Sequence, residues 1–213
     1  MNQPDTETRR DRKKHEMQQR IVQSAMQLFR TQGLDNTTME GIANAADVSK
    51  RTLYSYFPVK EAIVSGFWLQ NAHKKKNQLP LLFEGYPDTR TRLRMVFLSA
   101  AEGFMAEPEF ARIHFSYQFQ QIGKAVAHHF DSDFDHALTA IMEGGQTGGD
   151  VRNDIAASEL AAQIMLNFTA ICLMWFSAPD SFSLEARLTA AVHCFLDGAG
   201  HHNNIEEGNV CQK

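Results

Sequence analysis

Residues 37–60, TTMEGIANAADVSKRTLYSYFPVK, constrain the fold more than any other stretch, because two short helical patterns meet there across a tight turn. Thr37 with Glu40 three residues later predicts a capping box at the start of the first helix. Small residues in the turn let two helices approach closely, and Asp47 can adopt the left-handed backbone that such a turn needs. The first helix has an apolar inner face at Met39, Ile42, Ala43 and Ala46. The segment therefore predicts a helix-turn-helix.

The second helix of this segment presents polar side chains outward. Ser49 predicts its N-cap, and Pro58 ends it because the residue before a proline is pushed out of the helical region. Leu53 and Phe57 point to the interior. The side chains that face away from them are Lys50, Arg51, Tyr54 and Ser55. Cations and a phenol on one exposed face suit phosphates and base edges, so the pattern predicts a helix that reads DNA.

The order of these residues resembles the tetracycline-repressor (TetR) family of bacterial one-component regulators. Asp47, Arg51 and Val59 depart from the family pattern, which usually has Gly, often a small residue and commonly a capping Ser there. We expect the first to strain the turn slightly, the second to add a base or phosphate contact and the third to weaken a local cap. The matching positions are Leu28-Phe29, Gly33, Thr37-Thr38, Ile42-Ala43, Ala46, Val48-Ser49, Thr52-Leu53-Tyr54, Tyr56-Phe57 and Lys60-Glu61.

This resemblance implies an all-α protein. An N-terminal three-helix helix-turn-helix domain would bind DNA, and a C-terminal helical domain would bind a ligand and dimerise. The resemblance also implies a phosphate contact from Lys60. The residues assigned to DNA binding are Thr37, Thr38, Ser49, Lys50, Arg51, Thr52, Tyr54, Ser55, Tyr56 and Lys60.

Charge is divided unequally along the chain. The whole sequence has 21 Lys and Arg against 25 Asp and Glu, a formal net charge of −4. Residues 1–60 instead hold ten basic against seven acidic residues. Basic charge is therefore concentrated in the segment predicted to bind DNA.

The remaining composition indicates a soluble cytoplasmic protein that contacts no membrane. Cys172, Cys194 and Cys211 show no CxxC spacing, which favours reduced thiols. No signal-peptide pattern opens the chain, and no run of about eighteen apolar residues occurs.

Breaks in the helical pattern predict the domain boundaries. We expect a flexible basic arm over residues 1–14, which reaches a phosphate or the minor groove, then the DNA-binding domain over 15–60. The ligand-binding and dimerisation domain covers 61–198, and a flexible tail covers 199–213. Helices are predicted over residues 15–32, 60–78, 89–106, 108–120, 122–143, 155–176 and 184–197, with a linker at 79–88 and a glycine-rich break at 144–150.

Aromatic residues are frequent in the middle helices. Most of them belong to the core, but an apolar cavity with a few polar groups is also what a small-molecule site needs. Polar residues interleaved with this apolar pattern are candidates for orienting an apolar or aromatic effector. The predicted ligand-binding residues are Phe104, His114, Phe115, Gln118, Gln163, Asn167 and Trp175.

The last two predicted helices, at residues 155–176 and 184–197, are apolar over more than one face. A helix of this kind is either central or at an interface. The family resemblance implies the interface, a homodimer seam of two such helices per subunit. The residues expected to need cover are Ala157, Leu160, Ala161, Ile164, Ile171, Leu188, Ala191, Val192 and Phe195.

Catalytic and metal sites find little support in the sequence. Asp131, Asp133 and Asp135 imitate a calcium loop, but His136 stands where that loop needs Gly. His129 with Asp133, or His128 with His136, share a helix face and offer a transition-metal alternative. His201-His202 with Cys211 in the tail offer another. Since HExxH, GxSxG and a phosphate loop are all missing from the sequence, we expect neither an enzyme nor a cofactor.

Taken together, these patterns predict a homodimeric transcriptional regulator. We expect a repressor that binds a palindromic operator and is released by a small lipophilic molecule. A metal-sensing regulator is one alternative. A helical ligand carrier or enzyme with a vestigial DNA-binding head is another, but such a protein would not need Lys50, Arg51 and Tyr54 on one exposed face.

Overall fold

The computed structural model describes residues 9–121 and 132–199, and that part of the chain contains ten α-helices and no strand. This confirms the predicted all-α class. The helices are α1 (Arg9–Gln32), α2 (Met39–Ala45), α3 (Lys50–Tyr56), α4 (Lys60–Lys76), α5 (Leu79–Gly85), α6 (Thr89–Ala106), α7 (Pro108–Gln121), α8 (Asp133–Gly148), α9 (Ala157–Ser177) and α10 (Leu184–Ala199), with a short 3-10 helix at Pro179–Ser181.

The helices form two compact units, each with its own core. The first unit comprises residues 9–72 and 109–121, and the second comprises 73–108 and 132–199. The division differs from the expected boundary at residue 60, because α7 packs with the first unit. Phe110 of α7 lies with its ring centroid 6.3 Å from that of Phe29 on α1.

In the first unit, α1, α2, α3 and α4 contribute one apolar stripe each to a common core. The buried residues are Ile21, Val22, Ala25, Met26, Phe29, Ile42, Ala43, Ala46, Leu53, Phe57, Ala62, Ile63, Val64 and Phe110. Leu53 and Phe57 are among them, as the sequence predicts. This core leaves the opposite face of α3 uncovered.

In the second unit, α9 packs between α8 and α10, while α6 packs on α8 and α10. The core is apolar at helical spacing on all four helices, at Leu93, Phe97, Ala101, Leu138, Ile141, Met142, Leu160, Ile164, Phe168, Leu188 and Val192. Asp150 accepts hydrogen bonds from the Thr89 amide at 2.8 Å and the Thr89 hydroxyl at 2.9 Å. The start of α6 is thereby fixed to the segment that follows α8.

Two elements are helical where the sequence predicts otherwise. α1 begins at Arg9, so the basic run Arg9–Lys14 is helical. Its Arg and Lys side chains favour a helix, and Arg12 Nε lies 3.8 Å from Glu16 Oε1 at i,i+4 spacing. Part of the predicted linker at residues 79–88 forms α5, which carries proline in its first turn. Proline is tolerated there because its missing N–H would have no helical partner.

α8 continues through the glycines that predict a break, and it ends at Gly148 with Gly149 as its C-cap at φ 82°. Gly145 lies inside the helix, where an added Cβ would meet the Thr89 hydroxyl and lie 2.9 Å from Asp150 Oδ1. Glycine is therefore needed at this position because neighbouring groups come close to its backbone, and it does not break the helix.

Candidate functional site

The first helix of the helix-turn-helix is capped by Thr38 and not by Thr37. Thr38 Oγ1 accepts a hydrogen bond from the Gly41 amide at 3.0 Å. Thr37 is 1% exposed, and its hydroxyl donates to the Gly33 carbonyl at 2.8 Å. The predicted capping box at Thr37 is therefore wrong by one residue, and Thr37 holds the loop before α2 where no DNA can reach its side chain.

The turn between α2 and α3 is held from α1. Asp47 adopts the left-handed backbone that the sequence predicts, with φ 51°. Arg20 Nη2 donates to the Asp47 carbonyl at 3.3 Å, and Ser24 Oγ donates to the Ala45 carbonyl at 3.4 Å. Sequence analysis missed both α1 contacts, although Arg20 and Ser24 share one face of α1 at i,i+4 spacing. These bonds fix the direction in which α3 leaves the turn.

α3 starts at a well-formed cap and presents a polar row outward. Ser49 Oγ accepts from the Thr52 amide at 3.0 Å, and the Ser49 and Thr52 hydroxyls are 2.8 Å apart. Arg51, Tyr54 and Ser55 are exposed on the side opposite Leu53, and Tyr54 is 52% exposed. We call Arg51, Tyr54 and Ser55 the reading face; Tyr56 is half-buried against the core and lies outside it.

Both lysines predicted to bind DNA have partners within the protein. Lys50 Nζ lies 2.8 Å from Glu40 Oε1, and both side chains are about 60% exposed, at 59% and 62%. An exposed ion pair of this kind is weak, so Lys50 can exchange it for a phosphate. Lys60 Nζ donates to the Leu34 carbonyl at 2.6 Å. Lys60 therefore ties the start of α4 to the loop after α1, which the sequence does not predict.

The predicted ligand-binding residues divide between the two units. His114, Phe115 and Gln118 belong to α7 in the first unit, where the ring centroids of His114 and Phe115 are 5.4 Å apart. His114 Nδ1 lies 3.1 Å from Ser65 Oγ. Burial lowers the pKa of His114 to about 4, because the charged imidazole would lose its hydration. The imidazole is therefore neutral near pH 7.

Phe104 and Trp175 are buried in the second unit among other aromatic side chains. Phe168 is central, with ring centroids 4.6 Å from Phe97, 5.4 Å from Phe134 and 6.0 Å from Phe104. We call these four phenylalanines the ring cluster. Sequence analysis missed Phe134, which stands among aspartates, although its spacing to Leu138 and Ile141 places it on the apolar face of α8.

Gln163 and Asn167 are exposed on α9, on the face opposite its buried stripe. Leu166 is 57% exposed and Met174 is 53% exposed on the same side. We call the side chains of Gln163, Leu166, Asn167, Ala170 and Met174 the outer face of α9. The amides predicted to orient a ligand thus lie among exposed apolar groups, and their ligand role stays a prediction.

Most residues expected to need cover from a second chain are covered by their own chain. Ala157, Leu160, Ala161, Ile164, Leu188 and Val192 are buried in the second unit, while Ile171, Ala191 and Phe195 are half-buried. By length and composition α9 is apolar enough to cross a membrane, but the core helix of a soluble protein passes the same test, and 33% of the apolar window of α9 is buried. On α9, the apolar side chains that stay exposed in the single chain lie on the outer face.

The metal alternative depends mainly on residues outside the described ranges, namely His128, His129, Asp131 and the tail group of His201, His202 and Cys211. Of the described members, Asp133 Oδ2 lies 2.6 Å from His73 Nδ1, and Asp135 completes a capping box with Ser132. Within residues 9–121 and 132–199, no group of three or more His, Cys, Asp or Glu side chains is arranged to hold a metal ion. The described carboxylates have structural roles.

Comparison with known proteins adds a family to this geometry. The model of the tetR family of bacterial regulatory proteins matches residues 21–66, which include the whole helix-turn-helix. The chain is 26% identical over 195 residues to the HTH-type transcriptional repressor KstR2 of Rhodococcus jostii (strain RHA1), and this match covers 86% of the chain and 91% of that protein.

Two solved structures share the fold. The TetR-family repressor FadR of Thermus thermophilus in complex with lauroyl-CoA has a TM-score of 0.72 and 22% identity, covering 90% of this chain and 100% of that one. The SmeT–triclosan complex has a TM-score of 0.56 and 15% identity, covering 93% and 98%. The segment that contains the helix-turn-helix therefore matches the TetR family of bacterial regulatory proteins, and the chain is similar over most of its length to a transcriptional repressor.

Proposed function

We propose that the protein is a repressor that binds a two-fold operator as a homodimer and is released by a small lipophilic effector. Regulators of this family bind DNA and small-molecule effectors. The related KstR2 is named a repressor, which supports repression over activation. The relatives of the chain are transcriptional regulators, so we propose no enzymatic activity. Members of the family act inside the cell, so we propose that the protein acts in the cytoplasm.

The observation that carries this proposal is the reading face of α3. Arg51 can donate two parallel hydrogen bonds to a guanine edge, and Tyr54 can donate to phosphates or bases. The Ser55 hydroxyl donates to the Thr52 carbonyl at 2.7 Å and can accept from a base N–H. A seven-residue helix has room for few such contacts, so one copy reads only a short half-site. Two copies related by two-fold symmetry would read a palindrome with half-sites one helical turn, or a multiple of it, apart.

We propose that the outer face of α9 forms the seam between the two copies. Leu166, Ala170 and Met174 repeat at helical spacing and are exposed in the single chain. Exposed apolar surface of this kind marks an interaction site, and a two-fold axis pairs a surface with itself. Gln163 and Asn167 on the same face can hydrogen-bond across the seam.

We propose that the effector binds in the second unit against the ring cluster, with Phe104 and Trp175 among its contacts. FadR of T. thermophilus is in complex with lauroyl-CoA, whose acyl chain is apolar, and SmeT is in complex with triclosan, whose two rings are apolar. Phe97, Phe104 and Phe168 are at most 7% exposed, so an effector that packs against the ring cluster would have to separate rings that contact one another in this structure. The proposed roles of His114, Phe115 and Gln118 remain predictions of the sequence.

Selection from random DNA at moderate salt tests the proposal, followed by titration of the enriched operator with and without lauroyl-CoA or triclosan. We expect a palindrome to be enriched and at least one compound to weaken operator binding by about five- to 150-fold, the usual range of allosteric coupling. Arg51→Ala should weaken binding to the operator, while Lys74→Ala, which removes an exposed cation of the second unit, should leave it unchanged. Enrichment of no palindrome would refute the proposal.

A further inference from the structure

Three arginines on α6 differ in what they contact. Arg90 Nη2 lies 2.7 Å from Asp197 Oδ1 on α10. Arg92 Nε donates to the Tyr86 carbonyl at 2.8 Å, and its guanidinium lies 4.2 Å from the Phe83 ring centroid. Arg94 Nε is buried and has no hydrogen-bond partner in the described structure. The guanidinium groups of Arg90 and Arg92 are thus held by neighbouring residues, whereas the Nε of Arg94 has no partner in the described residues.

The position of Arg94 on α6 directs it toward the apolar interior of the second unit. Phe97 and Ala101 follow at i+3 and i+7, so the three residues share one face of the helix. Phe97 and Ala101 are both 0% exposed. A guanidinium on this face is partly taken out of water, and a buried N–H without an acceptor destabilises the fold. One ordered water could satisfy the N–H but would leave the charge without a counterion.

The ring cluster begins one turn beyond Arg94. Phe97 is 4.6 Å from Phe168 between ring centroids, and Phe168 is 6.0 Å from Phe104. Ten residues of helix separate Arg94 from Phe104, a rise of about 15 Å. A cation at one end of this stretch and apolar rings along the rest match a molecule with an anionic head and a long apolar tail.

We propose that Arg94 binds the carboxylate or phosphate of the effector while the apolar tail packs against the ring cluster. The effector would then be an anionic acyl compound. This inference rests on the proposed function for the existence of an effector in the second unit, and it adds the charge of the effector and the residue that recognises it. Arg pairs with carboxylate and phosphate groups through two parallel hydrogen bonds, which Lys cannot reproduce.

Direct binding of matched probes to the full-length protein tests the inference without DNA. The probes are laurate, which presents a carboxylate, lauroyl-CoA, which presents phosphates, and 1-dodecanol, which has a twelve-carbon chain and no charge. By titration calorimetry below the micelle concentration, we expect at least one anionic probe to bind about tenfold more tightly than dodecanol or better, as a charged hydrogen bond provides. Whichever anion is preferred identifies the head group.

Substitution of Arg94 should remove that preference. In Arg94→Gln, which removes the charge and keeps a hydrogen-bond donor on a shorter side chain, we expect the anionic and neutral probes to bind within about threefold of each other, since the charged hydrogen bond is lost. Arg94→Lys should recover part of the preference, because a single charge remains. Arg90→Gln is the matched control, since it breaks an existing ion pair on the same helix and should keep the anion preference of the unmodified protein.

Four outcomes would overturn the inference: failure of both anionic probes to bind, equal binding of dodecanol, an anion preference that survives in Arg94→Gln, or the same loss of preference in Arg90→Gln. Survival of the preference together with dissociation of the dimer in Arg94→Gln would assign Arg94 to the subunit seam instead. Operator titrations separate this result from the proposed function. If charged and neutral probes release the operator equally well, the proposed function stands and the role of Arg94 falls. If an Arg94-dependent anion preference appears without operator release, the role of Arg94 stands and the proposed function falls.

Discussion

α3 and α9 each bury one stripe of side chains and leave the opposite stripe uncovered, but the two uncovered faces differ in chemistry. The reading face of α3 carries a guanidinium, a phenol and a hydroxyl, whereas the outer face of α9 carries Leu166, Ala170 and Met174. A polar, cationic face suits a polyanion, and an apolar face suits another apolar surface. One chain thus presents two surfaces that call for two different partners.

The largest effect is expected from placing the same charge on opposite sides of α9. Ala161 is 3% exposed, so Ala161→Glu should bury a carboxylate without a partner and destabilise the second unit by about 3–5 kcal/mol. Leu166 is 57% exposed, so Leu166→Glu should leave the chain folded and separate the dimer. Urea unfolding followed by circular dichroism and sedimentation velocity will distinguish the two. If the Leu166→Glu variant is still a dimer, the outer face of α9 is not the dimer interface.

A smaller loss is expected where close packing, and not charge, shapes the second unit. Gly145→Ala should push α8 away from Thr89 and Val151 and reduce the free energy of unfolding by about 2 kcal/mol. Gly148→Ala in the same helix is the control, because a Cβ added at Gly148 would lie 3.9 Å from Asp150 Oδ1, an ordinary van der Waals distance. That change should stabilise the protein slightly, by about 0.4–1 kcal/mol. Equal midpoints of thermal unfolding for both variants would contradict this account.

On the reading face, Arg51→Ala should weaken specific operator binding by about 1–3 kcal/mol if the guanidinium reads a base edge. The protomer should keep its stability, because Arg51 is exposed and contributes nothing to the core. Fluorescence anisotropy with the selected operator and with a scrambled duplex will show whether the loss is specific. A uniform loss on both duplexes would reassign Arg51 to phosphate contact.

We expect low pH to affect the stability of the first unit and not the two uncovered faces, since neither the reading face nor the outer face of α9 contains histidine. The pKa of His114 is lowered by burial to about 4, below its usual value of 6.5. The unfolded chain therefore takes up the proton first as pH falls from 6.5 toward 4, and stability is lost over that window. We expect a decrease of about 1–2 kcal/mol between pH 7 and pH 5. His114→Gln should flatten this dependence in urea titrations; an unchanged slope would show that another group causes it.

The smallest effect is expected at the start of α4. Lys60→Met removes the hydrogen bond to the Leu34 carbonyl and should cost about 1 kcal/mol of stability. Because this ammonium already serves the protein, the salt dependence of operator binding should change by less than the one unit expected of a free phosphate contact. Thermal unfolding and a salt series on the same variant measure both quantities. A full unit lost from the slope would restore the phosphate role that the family resemblance implies.

The difference between α3 and α9 also explains how much the sequence could predict. Around α3, the cap at Ser49, the left-handed Asp47 and the end at Pro58 depend on residues a few positions apart, so local patterns were sufficient. The one local error, Thr37 for Thr38, arose because both residues can cap a helix. The Thr37 side chain points inward because its hydroxyl donates to the Gly33 carbonyl. The helix-capping pattern contains no information about that hydrogen bond.

Around α9, the decisive interactions join distant residues. The sequence shows that α9 is apolar on more than one face, but its packing against α8 and α10 decides which face is buried. Ala161 and Leu166 could not be told apart by composition for this reason. The helical path through Gly144 and Gly145 likewise follows from Thr89 and Phe83 packing close to them, contacts that span more than fifty residues of sequence.

The ion pair between Lys50 and Glu40 bears on how DNA binding responds to salt. A free lysine that meets a phosphate displaces ions condensed on the DNA, and this release makes affinity fall as salt rises. In the free protein, Lys50 is already paired with Glu40. When Lys50 moves to a phosphate, the Glu40 carboxylate loses this partner and attracts cations from solution. The ions taken up by Glu40 cancel part of those released by the phosphate. The slope of operator affinity against salt concentration will therefore indicate fewer phosphate contacts than the protein makes. We expect Glu40→Gln to make this slope steeper and to tighten operator binding at low salt.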